Sequence, residues 1–226
     1  MSAWGTPLDP WGWEAVRAGV RVVAASVPPG VVVAAQWDDV PDMVLVGAHW
    51  GVRGQRSGAL VGVPAWLARA PGARVRAFRA GRRCAAVAVE ALRGGRWVPV
   101  DGGRRGPRWP VGLGGSVSHS GGLTVALVGS GRLGVDVEVS GEVPGAFLTV
   151  GERALPRLGL GEVAWRRVLF SVREAAFKAG VAGAGETLLS VEVRKVGPGW
   201  AVVAGAGGVV RVRWALVGSG VWSWTF

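Results

Sequence analysis

Residues 99–115 of the chain read PVDGGRRGPRWPVGLGG. A stretch this rich in Gly and Pro supports neither a helix interior nor a central strand. It therefore divides whatever the rest folds into, as a domain junction or a binding loop. Before it, DPWGWEAVRAGVRVVAASV (9–27) has an Asp cap, Pro in the first turn and apolar spacing near 3.6, which predicts a helix. VVVAAQW and MVLVGAHW read as strands around the acidic turn DDVPD. RAFRAGRRCAAVAVEALRGG (76–95) is Ala-rich, has no internal Pro and stops at Gly94-Gly95, so a second helix is expected. After the loop, SVSHS leads into a strand, and GLTVALVGS and RLGVDVEVS read as a hairpin around Gly129-Ser130-Gly131. GEVAWRRVLFSVREAAFKAG (161–180) is helical, with Val168, Val172 and Ala176 at spacing four and Gly180 as its cap. LSVEVRK, WAVVAGA, VVRVRWALV and VWSWTF read as a meander. Each half thus holds helix and sheet, joined near residue 112, and the class is α+β.

The chain has 226 residues, half of them apolar, enough for a sizeable core. Its formal charge of +11 asks for an acidic partner: nucleic acid, a phosphate-rich cofactor, an acidic protein or a membrane surface. The arginines are spread, with a cluster between Arg69 and Arg108, which argues against a basic disordered tail. A single cysteine, Cys84, excludes an intrachain disulfide and a Cys-rich metal site. No signal peptide is expected, because no basic segment followed by an apolar run opens the chain. Val20 to Ala35 is interrupted by Arg21 and Pro28-Pro29, so it does not read as a membrane span. The expectation is a cytoplasmic protein.

Four groups of residues can carry chemistry. In GVDVEV, Asp136 and Glu138 leave one face of a strand while Val135, Val137 and Val139 leave the other. Two such carboxylates either hold a hard cation such as Mg²⁺ or form a solvated acidic face. Glu174 and Lys178 are four apart on a helix: either a surface ion pair of little worth, or a third carboxylate with an ammonium that reaches a phosphate. Only two of the 26 basic side chains are lysines, Lys178 and Lys195. A compact, flexible ammonium can follow a moving phosphate in a way a planar guanidinium does not. Ser118 and His119 follow a glycine pair and offer a hydroxyl, an imidazole and main-chain N–H groups to phosphate oxygens; the alternative is a turn with a packed histidine. Arg74, Arg76, Arg79, Arg82, Arg83, Arg104, Arg105 and Arg108 either bind phosphates as forks or form a solvated basic face. His49, between apolar residues at an expected strand end, reads as structural or surface.

The order SVSHS, GVDVE, FSVREAAFK, preceded by the basic helix and the Gly/Pro loop, resembles the 4′-phosphopantetheinyl transferases, and most closely their enterobactin-type branch. RAFRAGRRCA, GPRWPVG and FLTVGERALPRLG also look like that branch. The resemblance covers roughly residues 74–180. Phe170 stands where many relatives have Trp, Arg173 where Lys is usual, and Ala77 where the branch commonly has Glu. The resemblance implies a monomeric pseudo-dimer of two similar α+β halves, 1–112 and 113–226, each a small antiparallel sheet with packed helices. It implies coenzyme A in the cleft between them, with the adenosine phosphate on the side of the first half. The implied reaction passes phosphopantetheine from coenzyme A, the co-substrate, to a serine of an acyl or peptidyl carrier protein. It further implies Mg²⁺ or Mn²⁺ on Asp136, Glu138 and Glu174, with Glu174 and Lys178 as catalytic groups. Coenzyme A would be held by Lys178, Ser118, His119, Arg82 and Arg76, and no nucleic acid or membrane is involved. The rival readings are a basic nucleic-acid-binding module, another metal-dependent phosphotransferase or phosphodiesterase, and a non-catalytic relative that binds carrier proteins.

Overall fold

The computed structural model describes residues 20–22, 31–37, 40–49, 63–101, 106–139, 141–217 and 220–225. It is a mixed α+β structure. The first sheet joins β1 (Val20–Val22), β2 (Val31–Trp37), β3 (Val40–His49), β6 (Gly114–Ser120) and β7 (Leu123–Gly129) in the order β1-β2-β3-β7-β6. The second joins β8 (Val135–Glu138), β9 (Glu192–Gly197), β10 (Trp200–Gly205), β11 (Gly208–Val217) and β12 (Gly220–Thr225) in the order β8-β12-β11-β10-β9. Every strand pair is antiparallel.

Each sheet carries one long helix. α1 (Gly72–Arg93) lays Cys84, Ala85, Ala88 and Val89 on Ala126 and Val128 of the fully buried strand β7. Small side chains let this helix come close: a Cβ on Gly81 would stand 2.7 Å from Val117 Cγ1. Gly94, at φ +67°, ends the helix. α3 (Glu162–Lys178) follows the four-residue helix α2 (Val150–Arg153) and buries Trp165, Val168, Leu169, Val172 and Ala176 against Val203, Val212 and Val221 of the second sheet. The second helix and the closing meander are as the sequence predicts.

Four expectations need correction. Val20–Val22 lies inside the helix expected over 9–27, yet it is a strand paired with Ala35–Trp37; the rest of that span lies outside the described residues. Its β-branched valines alternate with Arg21 and suit a sheet edge. SVSHS is not a turn: it lies within β6, and the turn is Gly121-Gly122, both at positive φ, which suits a two-residue hairpin. β7 and β8 are not a hairpin, because β7 pairs with β3 and β6 while β8 pairs with β12. The chain therefore crosses between sheets at 130–134, and the sheets do not divide at residue 112. The hairpin 114–129 belongs with the first-half strands. Finally, the Gly/Pro stretch contains a small ribbon of β4 (Val100–Asp101) and β5 (Pro107–Arg108). It is pinned to α1: Trp109 stacks on Trp97 at 6.0 Å, Glu90 accepts from the Trp97 N–H at 3.1 Å, and Arg93 donates to the Val111 carbonyl.

A buried ion pair fixes α3. Arg173 is 1% and Glu152 0% exposed. Arg173 Nη1 donates to Glu152 Oε2 at 3.3 Å and to the Phe147 carbonyl, and Nη2 donates to the Leu188 carbonyl at 2.9 Å. Glu152 also accepts from the N–H groups of Thr149 at 2.9 Å and Val193 at 3.0 Å. These bonds offset the cost of burying the two charges, and Arg173 Nε alone of the guanidinium nitrogens is buried without a hydrogen-bond partner among the described residues.

Candidate active site

The site lies where β6, the edge of the first sheet, meets β8, the edge of the second. Both strands present side chains with period two. Ser118 and Ser120 on β6 face Asp136 and Glu138 on β8. Ser118 Oγ donates to Asp136 Oδ1 at 2.8 Å. Ser120 Oγ donates to Glu138 Oε2 at 3.4 Å and accepts from the Val139 N–H at 3.2 Å. The two serines thus join the sheets at the acid pair.

α3 adds its last turn to this seam. Gly134 makes the approach possible, since a Cβ there would lie 1.8 Å from the Ala175 carbonyl oxygen. Its N–H donates to Thr225 Oγ1 at 2.8 Å. Arg132, in the crossover, closes the helix end by donating to the carbonyls of Ala179 (3.0 Å), Gly180 and Gly207 (3.0 Å). Lys178 Nζ consequently reaches Asp136 Oδ1 at 2.7 Å, Ser118 Oγ at 3.0 Å and Glu174 Oε2 at 3.8 Å. The rare lysine is the cation that the carboxylates share.

The electrostatics follow from crowding. Glu138 is pushed up to about 7, first by burial and then by Asp136, with Glu174 adding to the effect and Lys178 opposing it. Glu174 is raised, again chiefly by burial and secondly among the raising causes by Asp136, against the pull of Lys178. His119 leaves β6 on the face opposite Ser118 and is exposed at its edge. Lost hydration around the ring lowers its pKa, and Lys178 and Arg74 lower it further against the opposing pull of Asp136, which favours the neutral imidazole.

Among the described residues no three His, Cys, Asp or Glu side chains stand close enough, as placed, to grip one ion. The donor chemistry still suits a hard cation. Three carboxylates on one side of the seam act on one another, and Asp136 Oδ2 is buried without a hydrogen-bond partner among the described residues.

Of the residues singled out from sequence, Asp136, Glu138, Glu174, Lys178 and Ser118 come together, with His119 beside them. Ser118 Oγ points at Asp136 and Lys178. Arg82 is 5% exposed and lies over the Phe78 ring at 4.4 Å, and Arg76 is exposed near the start of α1. Cys84 is fully buried and its thiol is pushed up to about 12, so it is unreactive. His49 ends β3, and its side chain lies outside the described residues. Sequence reasoning missed Ser120 and named Arg74 only as one of the arginine cluster. Ser120 would have emerged had SVSHS been read as a strand, because it then shares a face with Ser118. Arg74 had no local signal separating it from its neighbours.

Part of the chain is similar to known 4′-phosphopantetheinyl transferases. Residues 63–129 match the family model for the 4′-phosphopantetheinyl transferase N-terminal domain, which ends where the first sheet ends. Among individual proteins, the chain is similar to 4′-phosphopantetheinyl transferase Svp of Streptomyces mobaraensis, 36% identical over 127 residues, 51% of each chain. It is 34% identical over 123 residues to 4′-phosphopantetheinyl transferase PptT of Mycobacterium tuberculosis, covering 50% of this chain and 54% of that one. Enterobactin synthase component D of Salmonella typhimurium is 35% identical over 101 residues, 41% of this chain and 43% of that one. The chain spans about half the length of the curated relatives it matches.

Proposed function

We propose that this protein transfers 4′-phosphopantetheine from coenzyme A to a serine hydroxyl of an acyl or peptidyl carrier protein. The observation that carries the reading is the Lys178–Asp136–Ser118 cluster at the sheet seam, with Glu138 and Glu174 beside it. The carrier serine oxygen forms a bond to the β-phosphorus of coenzyme A. The bond from that phosphorus to the bridging oxygen breaks, and adenosine 3′,5′-bisphosphate leaves. Glu174 takes the serine proton, directly or through a water, or completes the ligand set of the cation. Lys178 pairs with a phosphate oxygen as charge shifts to the leaving group. Arg74 and neutral His119 flank the phosphates, with Arg82 and Arg76 assigned to the adenosine 3′-phosphate.

Asp136, Glu138 and Glu174 would hold Mg²⁺, with Mn²⁺ as the alternative. When bound, the ion neutralises charge on the pyrophosphate. We read the chain as two facing α+β halves, acting as a cytoplasmic monomer without nucleic acid or membrane. No described helix is long and apolar enough to cross a membrane. A chain of charge +11 suits an acidic carrier as its partner.

The test is intact-mass measurement of an apo carrier domain incubated with the protein, coenzyme A and Mg²⁺. A gain of one phosphopantetheine is expected. Hydrolysis of coenzyme A with the carrier unchanged would replace this reading with that of a phosphodiesterase.

A further inference from the structure

Lys178 sits on Asp136 rather than out in solvent. Its ammonium is 2.7 Å from Asp136 Oδ1 and 3.0 Å from Ser118 Oγ, and Glu174 Oε2 stands 3.8 Å away. The Asp136 side chain is 3% exposed, and its other oxygen, Oδ2, is buried with no partner among the described residues. One oxygen of the carboxylate is thus taken by a protein cation and the other is left over. A divalent ion on Oδ2 would stand within a few ångströms of the ammonium, and two such charges repel strongly in a poorly hydrated seam.

We propose that Lys178 is a stand-in cation for the acidic cluster, in competition with the divalent ion for Asp136, so that the arriving ion frees the ammonium to meet the phosphate of coenzyme A. This rests on the acidic cluster being the ion's site, as argued above. It gives a reason for lysine at this position. A guanidinium that forked onto Asp136 and Ser118 would be held by several parallel bonds. An ammonium is a point charge on a flexible stem and can leave by rotating its side chain. The last turn of α3, fixed by Arg132, holds the stem in place while the charged tip moves.

The wild-type protein offers a direct readout, because its only lysines are Lys178 and Lys195, and Lys195 is exposed on β9. Brief acylation with a water-soluble acetylating reagent, read by peptide mass spectrometry, compares the two. Mg²⁺ alone, without coenzyme A, is expected to raise the labelling of Lys178 relative to Lys195 several-fold. An unchanged or lower ratio overturns the proposal. The second measurement is Mn²⁺ titration at pH 8, followed by the electron paramagnetic resonance of the free ion. Lys178→Met, which keeps the stem and removes the charge, is expected to bind Mn²⁺ about tenfold more tightly than wild type. Wild-type affinity or weaker in a folded Lys178→Met overturns the competition. Asp136→Asn separates the two claims. If it abolishes Mn²⁺ binding while Lys178→Met has no gain, the site stands and the competition falls. If it binds like wild type, the acidic cluster is not the ion's site and both fall.

Discussion

Glu138 holds a proton more tightly in the folded chain than an exposed glutamate does, at about 7 against 4.5. The folded state therefore binds more protons than the unfolded one between those values. Its contribution to stability is full below about pH 4.5 and is lost as pH rises through about 7. Without added cation, the melting temperature of the wild type should fall across that window relative to Glu138→Gln, measured by calorimetry. Glu174→Gln should lower kcat by roughly 10²–10⁴ with little change in melting temperature, checked with the carrier mass assay; unaltered turnover would remove Glu174 from the chemistry. His119→Ala should raise the KM for coenzyme A more than it lowers kcat. At this scale the sequence was informative because the chemistry is local. Asp136 and Glu138 share a strand face, and Glu174 and Lys178 a helix face, so spacing alone pairs them. Spacing does not say that Ser118 turns its hydroxyl onto Asp136, because that bond joins residues on different sheets.

Among the elements, α3 matters most, since it carries Glu174 and Lys178 and is held from behind by Arg173. Removing half of a buried pair leaves the other charge stranded. Arg173→Ala should cost about 3–5 kcal/mol in urea unfolding, and Arg173→Met together with Glu152→Met much less. Both helices were readable from apolar period and glycine stops. The strands were readable as strands but not in their pairing. β7 and β8 are apolar runs joined through Gly-Ser-Gly, and that signal is the same for a hairpin as for a crossover. What decides here is the close contact of Gly134 with the backbone of α3, which no local pattern records.

At the largest scale the described residues form two five-stranded antiparallel sheets, each backed by a long helix, and a small two-stranded ribbon, with the proposed catalytic residues at the seam of the two larger sheets. The α+β class followed from helical and strand segments that share each half without strict alternation. The place where the sheets divide did not, because the most conspicuous break in composition, residues 99–115, is tied down as a ribbon on α1. Charge acts at this scale too. If the +11 chain steers acidic carriers, kcat/KM for the carrier should fall steeply as salt rises past about 0.1 M, while the KM for coenzyme A changes less. Equal salt dependence for the two substrates would count against steering.

The crossover at 130–134 has one more consequence. It leaves the serines on the amino-terminal side and every carboxylate of the cluster on the carboxy-terminal side. Two polypeptides made by opening the backbone there would each keep a sheet and its helix, yet neither would own a complete centre. Any phosphopantetheine transfer recovered on mixing them would report that the two surfaces had found each other again.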